Sequence, residues 1–212
     1  MLRLIQIFMR FWVKQMKFKL LGTEIYISFL FMAVITVMLA TDKTGMILPS
    51  LFAVFMHELG HLFAMWVLDS APKEIRLIPA SVQITSDITS GYKTDIAVAL
   101  CGPITNLVLF AVLFFNYLCF KNQLTLCYAL LNLIIAIFNL LPVSGLDGGT
   151  ILFSVIAKRT DYNRARLILK IITLIIAASV LFVGVMFTLR GKINISIYII
   201  GIYLLIMSIL KS

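Results

Sequence analysis

Long apolar stretches recur along this chain at the length a bilayer demands, and that recurrence limits the folds open to it. Six segments, roughly residues 24–41, 46–68, 95–118, 123–141, 167–189 and 193–210, each approach the ~20 residues that carry a helix across a hydrocarbon core. In that medium each backbone N–H and C=O must be satisfied within its own segment, so the segments are expected to be helices. With 62% hydrophobic and 13% charged residues, the chain has little left over for a water-soluble module. The expected architecture is an all-α polytopic membrane protein of six transmembrane helices. A basic interfacial segment, 1–22, precedes a membrane domain, 23–212. The first apolar run follows that basic segment and has no small-residue cleavage pattern, so it does not read as a removable signal peptide.

The formal charge of +9 is distributed as topology signals are. With the N-terminus inside, fourteen of the eighteen Lys and Arg fall on the cytoplasmic side, leaving Lys43, Lys121, Arg190 and Lys192 outside. Both termini are therefore expected in the cytoplasm, and the cations to meet anionic lipid, with no nucleic-acid partner. Leu2–Leu21, which mixes Phe8, Phe11, Trp12 and Phe18 with five basic residues, reads as lying on the inner leaflet. Cys101, Cys119 and Cys127 match no metal or redox spacing and read as small buried hydrophobes.

Ionisable groups inside a bilayer are costly and become candidates for function. The chain's two histidines both lie in Met56-His57-Glu58-Leu59-Gly60-His61, within the second apolar segment. At 100° per residue, positions 57, 58 and 61 fall at about 0°, 100° and 40° on a helical wheel. Two imidazoles a turn apart can reach one tetrahedral zinc, while Glu58 stays beside the metal as general base. Catalytic zinc needs a third protein ligand, and no third histidine exists. Asp147, in Asn139-Leu140-Leu141-Pro142-Val143-Ser144-Gly145-Leu146-Asp147-Gly148-Gly149, is the candidate, because helices two and four both run inward. Pro142, Gly145, Gly148 and Gly149 suit a broken segment after helix four. An N-cap on the following helix is the other reading of Asp147.

Asn106, in Gly102-Pro103-Ile104-Thr105-Asn106, and Asn139 are amides at membrane depth. Each is a candidate for substrate contact, against a reading as helix–helix bonds. Glu74-Ile75-Arg76-Leu77…Val82-Gln83-Ile84-Thr85 alternates apolar and polar residues, which predicts a short β-hairpin after helix two. Its free edge could hold an extended substrate by strand addition, or it could be a plain surface hairpin.

The three stretches at 57–61, 102–106 and 139–153 together resemble the site-2 protease family of intramembrane metalloproteases, peptidase family M50. The resemblance spans roughly residues 45–160 and is strongest to its sporulation branch, which processes a sigma-factor precursor. It implies Zn2+ bound by His57, His61 and Asp147, water activated by Glu58, and Asn139 holding the unwound substrate. The implied reaction is cleavage of a membrane-tethered or transmembrane protein on the cytoplasmic side of a bacterial cell membrane, with room for a regulatory membrane partner. A zinc-binding, non-catalytic membrane protein (pseudoprotease or transporter) is the alternative. No PDZ or CBS module is expected within these residues. Ile78-Pro79-Ala80-Ser81 also departs from the Phe-Gly-Gly-like turn common in relatives.

Overall fold

The first described elements are two strands, in stretches expected to be an interfacial segment and the start of an apolar span. In the computed structural model, which describes residues 15–20, 23–70, 74–78, 81–85, 91–191 and 194–210, β1 is Gln15–Leu20 and β2 is Thr23–Ser28. They pair antiparallel, with Met16 opposite Ile27 and Phe18 opposite Ile25, so apolar positions share one face of the ribbon and Lys17, Lys19, Glu24 and Tyr26 the other. Lys17 Nζ and Glu24 Oε1 lie 2.9 Å apart on that polar face. Residues 1–14 of the expected interfacial segment, and the turn at Pro79 and Ala80, lie outside the described residues.

The chain divides into two units, Met1–Thr89 and Ser90–Ser212. In the first, β2 runs without a linker into α1 (Phe29–Thr41). The loop to α2 (Ile47–Val67) is organised by Asp42, whose carboxylate accepts from the backbone N–H of Thr44, Gly45 and Ile47. β3 (Glu74–Ile78) and β4 (Ser81–Thr85) form the expected antiparallel hairpin. It is half of a larger element. β3 pairs parallel with β2, giving a four-stranded sheet in the order β1-β2-β3-β4. Parallel neighbours need a long crossover, which α1 and α2 supply.

The sheet corrects the first expected span. Alternation in residues 23–28 outweighs their apolar character, so the helix starts at Phe29, not 24, and has 13 residues. Among the described residues, three helices are long and apolar enough to cross a membrane: α2, α3 (Tyr92–Phe120) and α6 (Tyr162–Leu189). Besides α1, the shorter apolar helices are α4 (Gln123–Asn139), α5 (Asp147–Ala157) and α7 (Ile195–Leu210). The chain is a membrane protein; of the six expected spans, three are helices of that length and the other three coincide with shorter apolar helices among the described residues.

In the second unit, a two-residue link joins α3 to α4. Lys121 takes a left-handed conformation (φ 55°) that closes α3, and the Asn122 side chain caps α4 by accepting from Leu124 N–H. α3 packs on α4 and α5, α5 on α6, and α6 on α7. The core of this unit is built on Val143, Leu146, Ala177 and Leu204, so part of the break between α4 and α5 is itself buried.

Candidate metal centre

α2 presents one buried stripe, Ala53, His57, Gly60, His61, Ala64 and Met65, which is the helical period i, i+4, i+7, i+8. Both histidines are therefore on the inward face, with Glu58 half-buried at its margin. Gly60 and Ala64 keep that stripe narrow, while Phe55, Leu59, Phe63 and Trp66 are exposed on other sides of the helix. A turn apart, the two rings stand edge to face, with centroids 4.8 Å apart and planes at 84°. Their Nε2 atoms converge to 3.1 Å. Two imidazole nitrogens at that separation either share one proton or face a common cation. Tetrahedral zinc with Zn–N near 2.05 Å requires the two nitrogens about 3.3 Å apart, so the pair fits a zinc ion with almost no movement.

Asp147, the carboxylate of the expected ligand set, lies in the second unit. α4 ends at Asn139, and residues 140–146 leave the helix before α5 begins at Asp147. Gly145 takes φ +98°, a backbone state that a side chain would strain. A methyl group on Gly148 would run into the carbonyls of Leu140 and Leu141, and one on Gly149 into that of Val143. The double glycine thus lets the first turn of α5 press against the broken segment. Asp147 is half-buried and sits in the first turn, where a carboxylate is favoured by the helix dipole. The N-cap position belongs to Leu146, so the capping reading of Asp147 is displaced by one residue.

The two amides differ. Asn106 is fully buried, and its Nδ2 donates to Asn132 Oδ1 at 2.9 Å, while Asn132 Nδ2 donates to the Tyr128 carbonyl. The expectation of substrate contact at Asn106 thus meets a side chain engaged in tying α3 to α4. Asn139 is half-buried at the mouth of the break, where its Nδ2 donates to Ile135 O of its own helix. Asn132 escaped the sequence reading, although an amide in an otherwise apolar helix was the available signal. Thr173 also escaped it; its hydroxyl accepts from Ser144 N–H. The expectation that the cysteines are buried is corrected: Cys119 and Cys127 are exposed, Cys101 is half-buried, and all three thiols are free. Short helix-end positions facing lipid suit a small apolar side chain as well as a core does.

Comparison with known proteins starts from this second unit. The family model described as peptidase family M50 matches residues 118–183, which take in α4, the broken segment, Asp147, α5 and most of α6. Over this stretch the chain resembles peptidase family M50. Its histidine motif lies outside the matched residues, so motif and match are separate observations. The chain is 27% identical over 161 residues to a zinc metalloprotease of Methanocaldococcus jannaschii, covering 70% of the chain and 47% of that relative. It is 30% identical over 135 residues to stage IV sporulation protein FB of Bacillus subtilis, covering 60% and 46%. It thus spans about half the length of these relatives. Its fold is similar to that of a site-2 protease from Methanocaldococcus jannaschii, with a TM-score of 0.70 at 22% identity, over 93% of this chain and 95% of that one.

Proposed function

We propose that this chain is a zinc-dependent endopeptidase that cleaves a membrane-associated protein near the cytoplasmic face. The convergence of the His57 and His61 Nε2 atoms to 3.1 Å on a buried face, with Glu58 between them in sequence, carries the reading. His57, His61 and Asp147 would hold the metal, two neutral imidazoles and one carboxylate that leave a fourth position open. When bound, zinc supplies Lewis acidity, acidifying water and drawing charge from a peptide carbonyl oxygen. Glu58 takes the proton of the water whose oxygen bonds to the carbonyl carbon, then returns it to the amide nitrogen as the C–N bond breaks. Burial of both imidazoles keeps bulk water from competing with the ordered molecule.

A peptide bond inside a helix is shielded by its own hydrogen bonds, so the substrate must be extended before attack. Asn139, at the mouth of the break, would bond an unwound backbone on leaving its bond to Ile135 O. β4, the outer strand of the described sheet, offers a free edge of the kind that accepts an added strand. The match to the M50 family model and the likeness to a sporulation protein support a peptidase. The substrate class proposed with it is a membrane-tethered transcription-factor precursor, with a regulatory membrane partner, and the distribution of Lys and Arg supports both termini in the cytoplasm of a bacterium.

The test co-expresses the chain with a membrane-tethered substrate and compares it with Glu58→Gln. The expected result is retained zinc and lost cleavage in the variant. Equal cleavage by both forms sinks the enzyme reading and leaves a non-catalytic zinc protein.

A further inference from the structure

The broken segment that delivers Asp147 is irregular backbone in an apolar unit, where each N–H needs a partner from the protein. Several bonds stay local: Leu141 N–H donates to Phe138 O, Val143 N–H to Leu141 O, and Leu146 N–H to Val143 O. Ser144 N–H does not. It donates across to the Thr173 hydroxyl on α6, at 2.9 Å. The hydroxyl's own proton is committed to Leu169 O at 2.8 Å, so its lone pair is turned toward Ser144. Thr173 is completely buried, and Ser144 nearly so.

The apolar neighbours cannot do the same job. Val143 and Leu146 are held in the core with Ala177, one turn beyond Thr173, and Leu204. Such contacts set how deep the segment sits but tolerate sliding and rotation, because dispersion has no direction. A hydrogen bond has one, and this bond acts three residues before the carboxylate. Between Ser144 and Asp147 lies Gly145, at φ +98°, a joint with little stiffness of its own.

We propose that Thr173 is a positioning residue for Asp147: its hydroxyl fixes the rotation of the 140–146 break and thereby aims the carboxylate. The inference rests on the reading of Asp147 as a zinc ligand. Outer partners of this kind typically govern metal retention as well as catalysis.

The experiment uses the purified full-length chain in detergent, loaded with zinc, and follows metal transfer to a chromogenic chelator. Wild type is compared with Thr173→Val, Thr173→Ser and Asp147→Asn. Valine keeps the shape of threonine and removes the acceptor; serine keeps the acceptor. Expected are the fastest release from Asp147→Asn, release on the order of 10- to 100-fold faster than wild type from Thr173→Val, and near-wild-type release from Thr173→Ser. Hydrogen exchange should rise in peptides covering 140–147 of Thr173→Val and stay unchanged in α3 and α4, which general loosening of the fold would not produce. Wild-type retention by Thr173→Val, with zinc lost by Asp147→Asn, overturns the positioning role and leaves the ligand assignment standing. Wild-type retention by Asp147→Asn overturns both. If Thr173→Val fails to fold, Thr173→Cys replaces it, sulfur being a weak acceptor. Faster release then supports the role, and unchanged release overturns it.

Discussion

Gly148→Ala is a small change that should have a large effect. The new methyl group would meet the carbonyls of Leu140 and Leu141, which are backbone and cannot swing aside. An ordinary non-bonded carbon contact is about 3.5 Å, so α5 and the broken segment must separate by roughly an ångström. Overpacking of this kind costs about 1–3 kcal/mol of stability. The larger consequence concerns Asp147, the preceding residue and the proposed third ligand, because an ångström of misplacement at a reacting centre costs on the order of 100-fold in rate. Gly201→Ala is the matched control. Its methyl group meets the Leu181 side chain, which can change rotamer, so only packing is disturbed. The assay is kcat/KM for a tethered substrate in proteoliposomes, with zinc content and a melting curve measured on the same samples. The expected result is a folded Gly148→Ala protein, a few degrees less stable, with cleavage down about 100-fold, while Gly201→Ala cleaves normally. If Gly148→Ala cleaves at the wild-type rate, the close approach of α5 to the break does not place the carboxylate.

Other outcomes follow from the same geometry. Replacing Asn106 or Asn132 with Leu should cost about 1–3 kcal/mol, since each removes the buried bond from Asn106 Nδ2 to Asn132 Oδ1. The double variant should cost less than the sum, by about 0.6–1.7 kcal/mol; strictly additive losses in mixed-micelle unfolding would rule out the pair. Bonds to the backbone N–H groups of Ile47 and Thr44 hold the Asp42 carboxyl below its ordinary range. A folded pKa below the unfolded one means that the α1–α2 loop gains stability above about pH 4, the unfolded value. That gain is lost as pH falls through the lower folded value. Protection from amide exchange at residues 44–47, taken relative to the intrinsic rate at each pH, should therefore fall on acidification in wild type and be low at all pH values in Asp42→Ala; pH-independent protection in wild type contradicts this.

The helical placement of the two histidines was legible because it is local. Two histidines at helical spacing, with a glutamate between them, need no tertiary information, and α2 places both on its buried stripe. The break after α4 was legible for a similar reason, since Pro142 and Gly145 cannot continue a helix. The start of α1 was not. Residues 23–28 are apolar enough to extend a span and also alternate as a strand does; what decides is pairing with β3, some fifty residues away, and a window of sequence carries no trace of it. Asn106 shows the same limit from the other side. Its amide was visible as an anomaly, but whether it faces substrate or a neighbouring helix depends on Asn132, 26 positions on. Asp147 falls between these cases: its neighbourhood was readable, while its place one residue inside α5 depends on how Gly148 and Gly149 pack.

The shortness of α1 has a consequence for the lipid around this protein. Its 13 residues rise only about 20 Å, two-thirds of a typical hydrocarbon core. Joined to a strand without a linker, the helix has no spare apolar length to draw into the bilayer. A helix of that length can cross a bilayer only where the acyl chains beside it compress, which would make a thin place in the membrane. Thinning lowers the barrier that keeps water out of the hydrocarbon, at a protein whose proposed chemistry consumes one water per bond cut. Such a chain is tuned to bilayer thickness as well as to its substrate, and a thicker membrane would work against it.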